Sequence, residues 1–228
     1  MMQRFPFIVI EGLDGTGKTT VRKGLFRLWE GLYEVTPLCI LTSNFLAADA
    51  AADIVKGKYQ PSADNRDRYL QALVADKAAT LARLVRPALP NRPVISDRWL
   101  VSELAFFAVK HDMKPGETYE RLAAGITQPV DLTLVLDLDP RDSLQRAHGR
   151  QGDAVRADWD VLDVQARVRQ VYTEIVSEPA AYPLLGEVAH IDASASPGGV
   201  LDQVWQALIA HDLVPSLDPA TEAVPGDR

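Results

Sequence analysis

The amino-acid sequence predicts an α/β domain, a parallel sheet with helices on both faces. Three observations lead there. Short β-branched or Leu-rich runs recur along the chain without polar alternation, the pattern of strands covered on both sides. Segments with apolar residues at 3–4 spacing separate those runs, and strands alternating with helices indicate βαβ units. The first run leads into a glycine-rich loop and then a helix-compatible segment, the order in which a phosphate-binding loop is built.

Phe5–Glu11 is the first expected strand. After it, Gly12, Gly17, Lys18 and Thr19 match G-x-x-x-x-G-K-[ST]. Glycines let backbone N–H groups turn toward phosphate oxygens, and the helix that follows adds its positive end. Gly12, Asp14, Gly15, Thr16, Gly17, Lys18, Thr19 and Thr20 are therefore the expected nucleotide-binding residues. Lys18 would reach the β and γ phosphates, and the Thr19 hydroxyl would ligand Mg²⁺.

The second expected strand is Leu38–Thr42. It holds Cys39, the one cysteine of the chain, which reads as core packing. Alanine-rich 47–52 reads as helix. Leu70, Leu73, Val74, the Lys77 stem, Leu81, Leu84 and Val85 then trace one helical face. The third strand, Val94–Asp97, runs into Arg98 and Trp99. Ligands of open α/β sheets bind beyond the carboxyl ends of strands, so Asp97 is a candidate for the metal shell and Arg98 for gripping a phosphoryl group.

A fourth strand, Leu132–Leu138, precedes Asp139 and Pro140, where a helix should start; Asp137 and Asp139 read as caps rather than metal ligands. From Arg141 to Arg156 four arginines face two aspartates, beside Gly149 and Gly152. That composition suits a lid, about 141–157, closing on phosphates. Val161, Val164, Val168, Val171, Tyr172 and Ile175 mark a further helix, Val188–Ile191 the fifth strand, and Val200, Val204 and Leu208 a closing helix. Residues 1–213 read as one domain. The proline-bearing tail, 214–228, reads as disordered.

The 228 residues carry a net charge of −7, which disfavours a nucleic-acid partner but not a small anion. A lone cysteine permits no intrachain disulfide. No run approaches the roughly 20 apolar residues of a membrane span, and the apolar run 5–10 is short for a signal peptide and contains Pro6. A cytoplasmic location is the expectation.

The ordered motifs resemble the thymidylate kinase family of P-loop nucleoside monophosphate kinases. The matching stretches are the loop at 7–20, Ala75-Asp76-Lys77-Ala78, Asp97-Arg98-Trp99 with Ser102, the run 132–137, Leu144-Gln145-Arg146-Ala147 and His190-Ile191-Asp192-Ala193. The resemblance implies a five-stranded parallel sheet, ATP as donor, Mg²⁺ as cofactor, a nucleoside 5′-monophosphate as acceptor and a homodimer, with neither nucleic acid nor membrane as partner. It places Asp14 near Mg²⁺ or the acceptor sugar, Asp97 and Arg98 at the metal and acceptor phosphate, and Arg146 against adenine. The phosphate loop has no arginine at 13–16, so Arg150 or Arg156 of the lid is the catalytic candidate.

The acceptor side departs from the family. Thr42-Ser43-Asn44-Phe45 stands where Arg-Glu-Pro-Gly-Gly is usual. Leu73 stands for a thymine-stacking phenylalanine, and Lys77 for a base-reading arginine. Phe106-Phe107 replaces Tyr-Gln. Asn44, Phe45, Leu73, Lys77, Ser102, Phe106 and Phe107 are the expected acceptor contacts, with Asp14 and Arg98. The expected reaction is transfer from ATP to dTMP or a related pyrimidine nucleotide. The alternatives are a kinase for a nucleoside, with Glu11 or Asp97 as base, or for another metabolite, and a nucleotide-dependent switch.

Overall fold

In the computed structural model the described residues are 4–41, 65–149 and 159–214. Five strands form one parallel sheet: β1 (Phe7–Gly12), β2 (Leu38–Leu41), β3 (Val94–Asp97), β4 (Leu132–Asp137) and β5 (Glu187–Asp192). Their order across the sheet is β2-β3-β1-β4-β5. Ile10 lies beside both Asp97 and Leu134, so the ends of β3 and β4 flank the phosphate loop.

Each expected strand is found within one or two residues of its expected bounds. β1 is buried along its whole length, and its pleat divides the core. Ile8 and Ile10 face a layer built from α1 (Lys18–Tyr33) and the closing helix, where Leu25, Trp29, Val204 and Leu208 pack. Phe7 and Val9 face the other layer, which holds α2 (Arg66–Thr80), α3 (Leu100–His111), α4 (Pro115–Ala123) and the helix that precedes β5.

The helix expected through Val85 keeps that span but changes pitch. After α2 the backbone widens into a π-turn at Leu81–Val85 and ends in Arg86–Ala88. Pro87 supplies no N–H to the ladder, and the widened turn meets it. α5 (Pro140–His148) begins where expected, with Asp139 accepting from the Arg141 N–H at 2.8 Å. α6 (Leu162–Ser177) and α7 (Pro197–Ala210) complete the layers.

Three expectations need correction. Asp137 caps no helix; both its oxygens take the fork of Arg169, at 2.8 and 2.7 Å. Cys39 is only half-buried, and its sulfur accepts from Arg22 Nη1 at 3.1 Å. Arg141 and Arg146, expected within the lid, lie on α5. The alanine-rich stretch 47–52, residues 150–158 and the tail from 215 lie outside the described residues. Among the described residues no helix is long and apolar enough to cross a membrane.

Candidate active site

The phosphate loop joins β1 to α1. Gly17 occupies the N-cap of α1 with φ +93°, a left-handed conformation that a side chain would resist. Gly15 answers a different need. A Cβ there would overlap the carbonyl oxygen of Ser143, because the first turn of α5 lies directly on the loop. Ser143 Oγ also donates to the Asp14 carbonyl.

Lys18 is buried and donates from Nζ to the carbonyls of Gly12 (3.0 Å) and Leu13 (2.7 Å), with Asp14 Oδ1 at 3.8 Å. Burial, then the nearby Arg98 cation, pulls its pKa down to about 7. Thr16 turns its hydroxyl inward to the Leu13 carbonyl at 2.9 Å, so its side chain fixes the loop. Thr19 and Thr20 are exposed on the first turn of α1.

Beside this loop opens a cleft of about 310 Å³, lined by Gly15, Thr16, Gly17, Thr20, Arg146 and the start of α7 at Pro197 and Val200. Arg146 Nη1 donates to the Ala193 carbonyl at 2.8 Å, which lays the guanidinium along the cleft wall. The size suits a small organic ligand.

Arg98 follows the end of β3 and contacts the loop at Asp14. It has φ +73°, rare for a residue with a side chain. Its Nη2 pairs with Asp14 Oδ1, and Nη1 donates to Ser102 Oγ (3.0 Å) and the Tyr172 hydroxyl (3.3 Å). Burial lowers the pKa of the guanidinium, but Tyr172, Asp14, Glu11 and Asp97 more than offset that, and it ends above its ordinary value. Lys18 and Arg98 therefore both approach one carboxylate oxygen.

Glu11, a candidate base for a nucleoside acceptor, is 0% exposed. It accepts from the Trp99 N–H (2.8 Å), the Ser102 N–H (3.3 Å), the Ser102 hydroxyl and the Tyr172 hydroxyl (3.2 Å). Four donors and complete burial make it a structural clamp instead. Asp97 remains, half-buried, at the strand end.

Of the expected acceptor contacts, Asp14, Arg98 and Ser102 share this network. Lys77 sits apart. It is 4% exposed, pairs with Glu103 Oε1 at 3.3 Å and lies 4.2 Å above the Trp99 ring. Leu73 is buried one turn before it. Phe107 is 0% exposed, sandwiched with Tyr69 and His111, while Phe106 is partly exposed against Trp159. Asn44, Phe45, Arg150 and Arg156 lie outside the described residues.

Sequence reasoning missed Tyr172 and Glu103 as members of this region. Tyr172 reads as one more apolar position of α6, and only its hydroxyl sets it apart from Val168 and Ile175.

A family model described as Thymidylate kinase matches residues 10–194. The chain belongs to the thymidylate kinase family. It is 32% identical over 213 residues to a probable thymidylate kinase of Halorubrum lacusprofundi, covering 88% of this chain and 96% of that one. It is 29% identical to a probable thymidylate kinase of Methanosarcina acetivorans, over 90% and 96% of the two chains. With a thymidylate kinase of Solidesulfovibrio magneticus it shares 30% identity, over 87% and 96%. Family membership makes it a nucleoside monophosphate kinase, and the five-stranded parallel sheet is the fold that the resemblance implied.

Proposed function

We propose that the protein transfers the γ phosphoryl group of ATP to dTMP, giving ADP and dTDP, and that it does so as a homodimer. The observation that carries the reaction is the convergence of Lys18 and Arg98 on Asp14 Oδ1. Two cations that share one carboxylate suit two polyanions that must meet end to end. An acceptor phosphate oxygen is already anionic, so the protein's task is alignment and charge neutralisation rather than base catalysis.

In this reading the cleft beside α7 takes the adenosine, with Arg146 along the ring, and the loop N–H groups with Lys18 take the donor phosphates. Arg98 takes the acceptor phosphate. Arg150 or Arg156 supplies further positive charge to the transferring group. Thr19 and Asp97 offer a hydroxyl and a carboxylate, the hard oxygen donors that Mg²⁺ takes alongside phosphate and water. When bound, Mg²⁺ would neutralise charge on the bridging phosphates.

The burial of Glu11 weakens the nucleoside-kinase reading, since one of its two candidate bases is already satisfied. The pairing of Lys77 with Glu103 supports testing other pyrimidine acceptors beside dTMP. The experiment is ADP release from ATP and Mg²⁺ against a panel of nucleoside monophosphates and nucleosides. Expected is strong turnover with dTMP, and a loss of at least about 100-fold in Lys18→Ala, whose buried cation faces the donor phosphates. Wild-type rates in a folded Lys18→Ala protein would refute the donor site. Silence with dTMP and turnover of another monophosphate would refute the acceptor. Sedimentation at micromolar concentration tests the dimer.

A further inference from the structure

We propose that Glu11, acting through the hydroxyls of Ser102 and Tyr172, fixes the guanidinium of Arg98, which makes Tyr172 a positioning residue for the acceptor phosphate. This rests on the reading of Arg98 as the group that meets that phosphate.

The argument begins with protons. A guanidinium has only N–H groups to give, and a carboxylate has only lone pairs. Between Arg98 and Glu11 stand two hydroxyls, 2.7 Å apart, each within reach of both charged groups. Arg98 Nη1 donates to Ser102 Oγ at 3.0 Å and to Tyr172 at 3.3 Å. Glu11 Oε2 accepts from Ser102 Oγ and from Tyr172 at 3.2 Å. Two hydroxyl protons serve these contacts: either both go to Glu11, or one hydroxyl donates to the other and that one donates to Glu11. In each case the protons run toward Glu11 and both oxygens turn lone pairs to Arg98. The direction of the network is fixed by its two ends.

The parts come from four elements. Glu11 is on β1, on the pleat face shared with Phe7 and Val9. Ser102 is on α3, and its N–H is held by the same carboxylate at 3.3 Å. Tyr172 reaches in from α6, 74 residues along the chain from Arg98. The Arg98 backbone is also tied, its N–H to Ile10 O at 2.9 Å and its carbonyl to Ser96 Oγ at 2.8 Å. These bonds hold an unfavourable left-handed φ in place. With Nη1 on the two hydroxyls and Nη2 on Asp14, the guanidinium plane is set before any phosphate arrives, and less ordering remains to oppose binding.

The test uses Tyr172→Phe, which removes one hydroxyl and keeps the ring in the core. Steady-state kinetics are measured for the wild type, Tyr172→Phe, Arg98→Ala and the double variant, at temperatures below each melting transition. Expected for Tyr172→Phe is a loss of roughly 10- to 150-fold in kcat/KM for dTMP, the scale of one hydrogen bond to a charged group, with KM for ATP unchanged. In the Arg98→Ala background the same substitution should change kcat/KM by less than about twofold, because the two residues act as a unit. Direct binding supplies a second readout: the preference for dTMP over thymidine should shrink in Tyr172→Phe. An equal fold-loss with and without Arg98, or an unchanged preference, would overturn the inference and leave Tyr172 a packing residue. If Arg98→Ala itself leaves dTMP kinetics untouched, the assignment of Arg98 falls, and the inference with it. Should Tyr172→Phe fail to fold, Ser102→Ala removes the other hydroxyl and enters the same four-way comparison.

Discussion

At the scale of single residues, α2 and α3 share a buried charge pair. Lys77 and Glu103 are both almost fully buried and face each other across α2 and α3. Burial raises the pKa of the Glu103 carboxyl, and the Lys77 ammonium opposes that. Removing one partner strands the other charge in a poorly solvated site. Glu103→Leu should therefore cost about 3–5 kcal/mol, while Lys77→Met combined with Glu103→Leu should recover most of that loss. Denaturant unfolding of the two variants and the wild type checks it; equal losses in both variants would refute the pairing as the cause. The sequence marked Lys77 but not Glu103, because a glutamate inside an apolar helix does not name its partner. Glu11 hides its role the same way. A carboxylate ending an all-apolar strand must be satisfied, yet the donors come from residues 99, 102 and 172, and only the folded chain brings those together.

At the scale of elements, the strands were legible and two helices were not. Strands covered on both faces are continuous apolar runs, and each of the five stood out between polar or glycine-bearing neighbours. α3 escaped because residues 104–109 are one continuous apolar run after Leu100 and Val101, which hides the 3–4 spacing of its buried face. α4, at nine residues, is too short for a clear period. Gly15 shows how elements meet at the site. The loop and α5 touch at Gly15 and Ser143, so Gly15→Ala must push α5 away or distort the loop. With φ at +92° in addition, the substitution should lower kcat/KM by at least about 100-fold, as a misplacement of roughly 1 Å does. Turnover within a few-fold of wild type would show that α5 yields freely. The fork from Arg169 to Asp137 ties α6 to the end of β4, and that hydrogen bonding holds the Asp137 carboxyl below its ordinary range. A lowered carboxyl stabilises the fold above the unfolded pKa and stops doing so as pH falls through the folded one. Both side chains are more than a third exposed, so solvent screening keeps the effect below about 1 kcal/mol. Arg169→Ala should be less stable at pH 7, and the difference from the wild type should shrink at acid pH, below the ordinary aspartate pKa of about 3.9. A difference of equal size at both pH values would assign the loss to packing.

At the scale of the whole molecule, the sheet divides the site between its two layers. The phosphate loop leaves β1 at the centre, β2 and β3 lie to one side and β4 and β5 to the other, so the chain reverses direction across the sheet where ligands of this class bind. The resemblance implied a five-stranded parallel sheet but no order, because continuous apolar runs do not say which strand neighbours which. The cleft proposed for ATP belongs to the layer of α1 and α7, with Val21 and Val200 both in its wall and in the core beneath. Arg98, Ser102 and Tyr172 belong to the layer of α3 and α6. Asp14 is where the two halves meet, through its pairs with Lys18 and Arg98. Ligands that bind the folded state alone stabilise it by mass action, and local opening is suppressed first where the ligand sits. ATP alone should therefore slow amide exchange chiefly in residues 15–21 and 193–200, and dTMP alone chiefly in residues 97–107 and 165–176. The loop around Asp14 should be slowed by either ligand. Hydrogen exchange read by mass spectrometry resolves segments of this length. Protection of both layers by each ligand alone would mean that the sheet transmits binding as one rigid unit, and the division of the site by layers would be wrong.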